Sequence, residues 1–238
     1  LLFVTKQGTV KRITLESLNT ARKAGIRALT LVEGDELIAV MKTNGENDII
    51  LATADGMAIC FSENDVRVMG RDAAGVRGIA LSGGDYVVGA GIAGYGKQLL
   101  TVTEQGYGKR TEMIEYMRLG ENGQRSPQGR GGKGLKNYNL TAKTGRVAGV
   151  AIVDDSDDVM LIESGGVLIR MAASDINIYK RDTQGVILMR VEGDSRVISI
   201  ERVDREETAE TESAEAPESP ETAAEPAAAS ASGAPAEE

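Results

Sequence analysis

Two short landmarks recur four times along this chain, at a spacing of roughly fifty residues. The first is a turn pair between apolar runs, in "TKQGTVKR" (5–12), "TADGMAIC" (53–60), "TEQGYGKR" (103–110) and "ESGGVLIR" (163–170). Glycine supplies the positive φ that hairpin turns require, so each copy predicts a strand, a tight turn and a second strand. The glycines assigned to these turns are Gly8, Gly56, Gly106 and Gly165.

The second landmark begins with a glycine and follows each hairpin. It starts at Gly25, Gly75, Gly134 and Gly185, continues as a short alternating strand, and turns at Gly34-Asp35, Gly84-Asp85, Thr144-Gly145 and Gly193-Asp194 before a last strand. The two glycines of a repeat lie 17, 19, 28 and 20 residues apart. The third repeat is therefore longer by about nine residues, and the excess falls where "QGRGGKG" (128–134) stands.

Each repeat thus offers about four short strands, and the pieces between them are too short for long helices. Four strands per repeat predict an all-β, propeller-like array of blades, in which each blade buries its apolar face against its neighbours. We place the repeats at approximately 1–40, 41–90, 91–150 and 151–203, which together form one domain of residues 1–203. A β-sandwich with accidental similarity is the alternative, and the fourfold recurrence of both landmarks in order favours the propeller.

The net charge of −9 belongs to the end of the chain rather than to its body. Residues 201–238 hold twelve acids and two arginines, a net −10, whereas residues 1–200 hold 25 basic and 24 acidic side chains, a net +1. The last segment consists mainly of Ala, Glu, Ser, Thr and Pro and has little apolar surface to bury. Residues 204–238 are therefore predicted to be a disordered acidic tail.

Several function classes are disfavoured by composition. The chain has no His and one cysteine, Cys60, which removes the commonest general base, His-based metal sites and an internal disulfide. No apolar run approaches the roughly 18 residues of a membrane span. Leu1 is not an initiator Met, so we expect a fragment that lacks its N-terminal part. We find no constellation of catalytic residues and expect no cofactor or metal in this fragment.

Two local motifs resemble ligand sites but lack what those sites need. "GAGIAG" (89–94) and "GIAGYGKQ" (91–98) fit nucleotide-binding patterns, yet the next segment predicts a strand where a helix is required. We expect a flexible loop between blades there. "DDSDD" (154–158) lacks the Gly and Glu that an EF-hand loop needs, so it is predicted to be a solvated hairpin loop.

The loop "QGRGGKG" lies in the basic centre of the chain. Residues 103–150 hold nine basic and four acidic side chains, a net +5. Glycine lets the backbone approach a partner, Arg can grip a phosphate with two hydrogen bonds, and nothing in the loop would read base edges. Cations also leave the hairpins at Lys11-Arg12, Lys109-Arg110 and Arg170, which predicts a basic stripe along one rim that could bind and bend duplex DNA. A merely flexible inserted loop is the alternative.

With these segments the chain resembles the C-terminal domain of the gyrase A protein of DNA gyrase, a β-pinwheel around which DNA wraps. The resemblance rests on "NGQRSPQGRGGKG", "TEQGYGKR", "GVRGIAL" and "RDTQGVILMRV" and covers residues 1 to about 203. The family's signature loop reads Gln-basic-Arg-Gly-Gly-basic-Gly. Gln128, Arg130, Gly131, Gly132, Lys133 and Gly134 match it, while Gly129 departs at the second position. In the family this loop lies in the first of usually six blades, whereas here it is in the third of four repeats.

The resemblance implies a module that wraps duplex DNA and supports ATP-dependent negative supercoiling by a parent enzyme, a heterotetramer of two gyrase A and two gyrase B chains. ATP and Mg²⁺ would be used by other parts of that enzyme, and the location would be cytoplasmic, in a bacterium, at the nucleoid, with no membrane. The implied DNA-binding residues are those six loop residues together with Lys11, Arg12, Lys109, Arg110, Arg125, Lys136 and Arg170. The alternatives are the corresponding C-terminal domain of topoisomerase IV and a propeller that binds proteins.

Overall fold

The computed structural model describes residues 1–94, 96–121 and 123–205. Leu1–Arg205 forms one compact unit. Nearly all of the predicted acidic tail, residues 206–238, lies outside the described residues. Among the described residues, no helix has the length and apolar character needed to cross a membrane.

The strands follow the fourfold repeat. The first repeat contains β1 (Leu2–Thr5), β2 (Thr9–Arg12) and β3 (Leu37–Met41). The second contains β4 (Asp48–Thr53), β5 (Met57–Ser62), β6 (Val76–Arg77) and β7 (Val87–Ala93). The third contains β8 (Gln98–Thr103), β9 (Tyr107–Glu112), β10 (Arg118–Leu119), β11 (Arg125–Ser126), β12 (Leu135–Lys136) and β13 (Val147–Val153). The fourth contains β14 (Asp157–Glu163), β15 (Leu168–Ala172), β16 (Val186–Ile187) and β17 (Val197–Asp204). Short 3-10 helices follow the hairpins at Glu16–Leu18, Glu63–Asp65, Met113–Tyr116 and Ala173–Asp175.

These strands form four blades, which confirms the all-β propeller arrangement. The strand order is β3-β1-β2-β6 in blade 1, β12-β5-β4-β7 in blade 2, β13-β8-β9-β16 in blade 3 and β15-β14-β17 in blade 4. All named strand pairs are antiparallel. The sequence predicts one blade per repeat, and the structure corrects this: the outermost strand of blades 1, 2 and 3 comes from the following repeat. We call β6, β12 and β16 the donor strands.

Each hairpin turn is held by a glycine with positive φ. Gly8, Gly56 and Gly106 have φ of 78°, 77° and 73°, which only glycine adopts at little cost. In the fourth repeat the residue in this role is Gly166, with φ 90°, and not Gly165 as the sequence predicts. The amide of Gly166 donates to the carbonyl of Glu163 at 3.0 Å, the same turn bond that Gly8 makes to Thr5.

The donor strands dock on the same turns. The amides of Gly78 and Ile79 both donate to the carbonyl of Gly8, at 2.8 and 3.4 Å. Asn137 and Tyr138 bind Gly56 in the same way, and Leu188 and Met189 bind Gly106. Ile79, Tyr138 and Met189 are buried at these points, so each donor adds an anchor side chain to the blade before it.

The innermost strands pack closely because glycines face the neighbouring blade. A Cβ on Gly89 of β7 would lie 2.7 Å from Cγ2 of Val150 on β13, and one on Gly91 would collide with Ile152. Gly149 of β13 meets Ile200 of β17 in the same way. "GAGIAG" is therefore largely strand β7 and not a flexible loop, since its glycines permit strand-to-strand contact instead of phosphate contact.

The extra length of the third repeat is a two-stranded hairpin, β10-β11, which pairs Arg118 with Ser126 and Leu119 with Arg125. It precedes the glycine-rich loop. The insertion therefore lies before residues 128–134, close to the predicted place but not within the loop itself.

Candidate nucleic-acid interface

The glycine-rich loop links the outer edges of blades 1 and 2. The Gln128 amide donates to the carbonyl of Cys60 at 2.6 Å, and its buried side chain donates to the carbonyl of Tyr116 at 3.0 Å. Farther along, Gly131 donates to the carbonyl of Gly78 at 2.5 Å, and the carbonyl of Gly132 accepts from Ala80 at 2.8 Å. Backbone contacts therefore fix the loop against β5 and against the segment that follows β6.

The glycines of the loop have different tasks. Gly131 and Gly134 have φ of 80° and 75°. A Cβ on Gly134 would collide with the carbonyl of Ala58, whereas Gly129 and its surroundings leave open space. Gly134 thus permits the donor strand to approach blade 2, while Gly129, the position that departs from the family's signature, faces no neighbour.

The two cations of the loop point to different partners. Arg130 donates from Nε to the carbonyl of Asp65 at 2.8 Å and from Nη1 to the carbonyl of Arg77 at 3.0 Å. Its guanidinium therefore ties the loop to the protein. Lys133 is exposed, and so is Arg77, whose backbone and side chain lie against Gly131. The exposed charge at this junction belongs to Lys133 and Arg77.

The lysines of the hairpins are buried, which corrects the prediction that they form a rim stripe. Lys11 and Lys109 are both 0% exposed. Nζ of Lys11 donates to the carbonyls of Ala28 at 2.9 Å and Arg71 at 2.5 Å. A buried ammonium needs such acceptors, and backbone carbonyls provide them without a counter-charge.

Lys109 is held more extensively. Nζ donates to the carbonyls of Lys180 at 2.7 Å and of Arg181, and to Oγ1 of Thr183 at 3.1 Å. It also lies 5.2 Å from the centre of the Tyr138 ring. Burial lowers the pKa of Lys109 to about 7, and the charge of Asp182 acts in the opposite direction. This side chain fastens the segment before β16 onto blade 3 and has no surface to offer DNA.

The arginines of the hairpins are engaged in ion pairs. Arg110 is 4% exposed and pairs with Asp155 at 2.5 Å, which again corrects its assignment to an exposed rim. Arg12 is partly buried and pairs with the buried Glu63 at 3.1 Å. Burial opposes ionisation of Glu63, but hydrogen bonds from Thr43, the amides of Asn47 and Gly45, and Arg12 hold its pKa below the ordinary value.

The acidic run "DDSDD" is the counterpart of several of these cations. Its pairs join Asp154 to Lys97, Asp155 to Arg110, Asp157 to Arg202, and Asp158 to both Arg170 and Arg205. Arg170, a predicted DNA contact, is exposed but already bound to Asp158 at 2.8 Å. The run joins blade 3 to blade 4. Its last two residues begin strand β14 and Asp157 is buried, so the run is only in part the solvated hairpin loop that the sequence predicts. Within the described ranges, no group of three or more His, Cys, Asp or Glu side chains could hold a metal ion.

The other two predicted contacts lie at the outer edge. Arg125, on β11, is exposed and donates to the carbonyl of Ile114 at 3.1 Å. Lys136, on the donor strand β12, is exposed and pairs with Asp182 at 2.7 Å. Of the predicted contacts, the structure thus leaves five exposed: Arg125, Gly132, Lys133, Lys136 and Arg170. Four are partly exposed: Arg12, Arg130, Gly131 and Gly134. The other four are buried, which corrects their assignment to a DNA surface: Lys11, Lys109, Arg110 and Gln128.

A larger basic surface was missed from the sequence. In every repeat, the segment that leads from the 3-10 helix to the donor position is rich in cations. We call residues 19–27, 66–77, 117–136 and 176–187 the outer rim. It contains thirteen cations and three acids: Arg22, Lys23, Arg27, Arg67, Arg71, Arg77, Arg118, Arg125, Arg130, Lys133, Lys136, Lys180 and Arg181 against Asp72, Glu121 and Asp182.

The outer rim therefore carries +10, while the rest of residues 1–205 holds fourteen cations and 23 acids, a net −9. Ten of the thirteen rim cations are exposed, and Arg71, Arg130 and Arg181 are partly buried. The recurrence of two or more cations before each donor segment is visible in the sequence. It becomes informative only once the structure shows that three of these segments end in the outermost strands of blades 1, 2 and 3.

The sequence matches the protein family described as "DNA gyrase C-terminal domain, beta-propeller" over residues 1–44, 47–93, 97–113, 126–154 and 157–204. It is 42% identical to the A subunit of DNA gyrase from Escherichia coli (strain K12) over 199 residues, which are 84% of this chain and 22% of the relative. It is 43% identical to the corresponding gyrase protein of a Staphylococcus epidermidis strain over 201 residues, 84% of this chain and 21% of the relative. The chain thus spans about a fifth of the length of the curated relatives it matches.

Two solved structures share the fold. The C-terminal domain of DNA topoisomerase IV superposes with a TM-score of 0.77 at 28% identity, covering 85% of this chain and 61% of that one. A DNA gyrase A C-terminal domain superposes with a TM-score of 0.70 at 25% identity, covering 84% of this chain and 64% of that one. The family match extends over more than half of the 238 residues and over all four blades. The chain therefore belongs to the family of DNA gyrase C-terminal β-propeller domains.

Proposed function

We propose that this chain binds duplex DNA along its outer rim, without reading bases, and bends the duplex around the blades. The observation that carries this proposal is the segregation of charge: +10 on the rim against −9 on the rest of the domain. A duplex carries one negative charge per about 1.7 Å of its axis, so it favours a continuous cationic surface. Cations on successive blades can all contact the phosphates of one duplex only if the DNA follows the curve of the array.

The chemistry of the rim supports backbone contact rather than base readout. Its ten exposed cations are Arg and Lys side chains on short strands and loops. The described residues of the rim segments contain no α-helix that could enter a major groove. At the junction of blades 1 and 2, Lys133 and Arg77 offer exposed cations while Arg130 keeps the loop rigid. Rigid presentation reduces the entropy lost on binding.

Within a larger protein, we infer that this domain is the DNA-wrapping module of a bacterial gyrase A protein. The parent would be a heterotetramer of two gyrase A and two gyrase B chains, and it would use ATP and Mg²⁺ elsewhere to convert wrapping into negative supercoils. Sequence identity above 40% to gyrase A proteins supports this parent.

Topoisomerase IV is the second candidate parent. The higher TM-score, 0.77 against 0.70, is with the topoisomerase IV domain. The two candidates differ in wrapping, because a gyrase module should trap a writhe of fixed sign. A protein-binding propeller, the third candidate, should bind DNA weakly or not at all.

The test combines affinity with topology. The 238-residue chain should bind unrelated duplexes equally well, with an affinity that falls steeply between about 50 and 200 mM salt. Relaxing closed circular DNA in its presence should leave a linking-number change of one sign after the protein is removed. Salt-dependent binding with no linking-number change would leave topoisomerase IV as the parent. Binding confined to one sequence, or insensitive to salt, would exclude the rim as a phosphate-binding surface.

A further inference from the structure

The outer rim carries apolar side chains among its cations. Four of its described residues are large, apolar and exposed: Val68, Leu119, Ile178 and Ile187. Two of these occupy the same position in different blades. Val68 forms an isolated parallel bridge with Arg12 of blade 1, and Ile178 forms the same bridge with Arg110 of blade 3. The rim therefore presents an aliphatic side chain at a repeated position.

The backbone around this position is fixed to the blade. The amide of Arg110 donates to the carbonyl of Asn177 at 3.1 Å, and the amide of Tyr179 donates to the carbonyl of Arg110 at 2.8 Å. Ile178 lies between these two bonds. At Val68, the amide of the next residue likewise donates to the carbonyl of the bridge partner at 2.8 Å. Side chains held in this way lose little entropy when a partner covers them.

The exposure of Ile178 occurs in a blade that has a neighbour on each side. The innermost strand of blade 3, β13, contacts β7 of blade 2 and β17 of blade 4. Ile178 is nevertheless 45% exposed, close to the 51% of Val68. The apolar surface at this position is thus a feature of the outer face of a blade whose neighbours are in place.

Cations lie close to both aliphatic residues in the sequence. The segments "DVRVMGRD" (65–72) and "DINIYKRD" (175–182) align without a gap and place Val68 and Ile178 at the same point. Extended backbone favours any β-branched residue, Thr included, so backbone preference alone does not require an aliphatic side chain there. Four cations lie within three residues of the two positions: Arg67, Arg71, Lys180 and Arg181.

We propose that Val68 and Ile178 contact the deoxyribose faces of the minor groove where it turns toward the rim. The inference rests on the proposed function, because it needs the duplex to follow the outer rim. DNA that is bent around a protein turns its minor groove inward once per helical turn, and proteins that bend DNA place both cations and aliphatic side chains in that groove. Contacts with sugars carry no direct sequence information, so they agree with binding that does not read bases.

The test replaces both side chains by threonine, which keeps the β-branched shape and adds a hydroxyl. The rim pair is Val68→Thr with Ile178→Thr. The matched control pair is Val40→Thr with Ile198→Thr, since Val40 and Ile198 are 49% and 55% exposed on β3 and β17, outside the rim. Thermal melts establish that both pairs are folded. The rim pair should lower the affinity of the 238-residue chain for duplex DNA by about three- to tenfold, whereas the control pair should bind like the parent.

Salt dependence separates this contact from the phosphate contacts. Because no cation is lost, the affinity of the rim pair should fall by the same factor at about 50 and 200 mM salt, with the slope of log affinity against log salt unchanged. The linking-number change trapped on closed circular DNA should also decrease. A rim pair that binds as tightly as the control pair, or that loses part of the salt slope, would overturn the inference and leave phosphate binding by the rim intact. A parent chain without salt-dependent binding would contradict the proposed function, and this inference with it.

Discussion

Lysine and arginine perform opposite tasks on the hairpins and on the outer rim of this domain. Lys109 is 0% exposed, and its Nζ is surrounded by backbone carbonyls, a hydroxyl and the ring of Tyr138. Lys133 is exposed on a loop whose backbone is fixed to two blades. The residue type is the same, but one cation holds the protein together and the other remains available to a partner.

The difference shows that charge counts along a sequence do not locate a binding surface. Residues 103–150 carry +5, yet two of the cations counted there, Lys109 and Arg110, are buried. The outer rim is formed from four segments that lie far apart in the sequence, so its positive charge becomes evident only once the fold is known. Cations that complete the fold and cations that bind DNA can therefore be separated by mutation.

The largest effect is expected at the glycine that seats the loop. Gly134→Ala should lower the free energy of unfolding by about 2–4 kcal/mol, because φ is +75° and the new Cβ collides with the carbonyl of Ala58. Gly129→Ala is the control in the same loop, where a Cβ meets nothing. Denaturant titration of both variants gives the difference. Equal stabilities would show that the loop is not held as described.

The next largest effect is a loss of stability on replacing the buried Lys109. Lys109→Met should cost about 1–3 kcal/mol of stability, because it leaves buried acceptors without a donor. The exposed Lys143, which lies over the ring of Tyr107, gives the control Lys143→Met, with a change within about 0.5 kcal/mol. The folded Lys109→Met protein should bind DNA as the parent does. A loss of DNA affinity with unchanged stability would show that Lys109 contributes to DNA binding after all.

The smallest expected effect is a change in DNA affinity when the acidic tail is removed. Residues 206–238 carry ten acids and no cations, and as a tethered polyanion they would compete with DNA for the rim. Truncation after Arg205 should raise DNA affinity modestly, by about two- to fivefold at low salt, and the gain should vanish as salt screens both contacts. DNA titrations of both chain lengths at two salt concentrations measure it. An unchanged affinity at low salt would show that the tail does not compete with DNA and leave solubility as its role.

The blade architecture could be predicted from the sequence because its constraints are local. A positive φ at a hairpin turn requires glycine, and Gly8, Gly56 and Gly106 lie where the repeat predicts them. Strand exchange could not be predicted in this way. The period of the repeat is the same whether β6 pairs with its own hairpin or with the preceding one, and only long-range packing decides between them.

The aligned repeats contain an indication that these lysines are buried, which the sequence analysis did not use. Aligned repeats place Lys11 and Lys109 at the same position as Ile59 and Ile169. Because two of the four repeats have an apolar residue at that position, the side chain there is expected to face inward in the other two repeats as well, even though it is a lysine. Lysine is so seldom buried that composition alone favours exposure, and only the carbonyl acceptors in the structure explain the exception.

The most direct test of rim binding reverses charge at two matched places. Arg77→Glu with Lys133→Glu changes two exposed rim cations, and Lys143→Glu with Arg196→Glu changes two exposed cations outside the rim by the same net charge. DNA affinity is measured against salt for both pairs. The rim pair should lower affinity at least about tenfold and reduce the slope of log affinity against log salt by about two, whereas the other pair should stay close to the parent. Equal losses for the two pairs would mean that net charge, and not the outer rim, determines DNA binding.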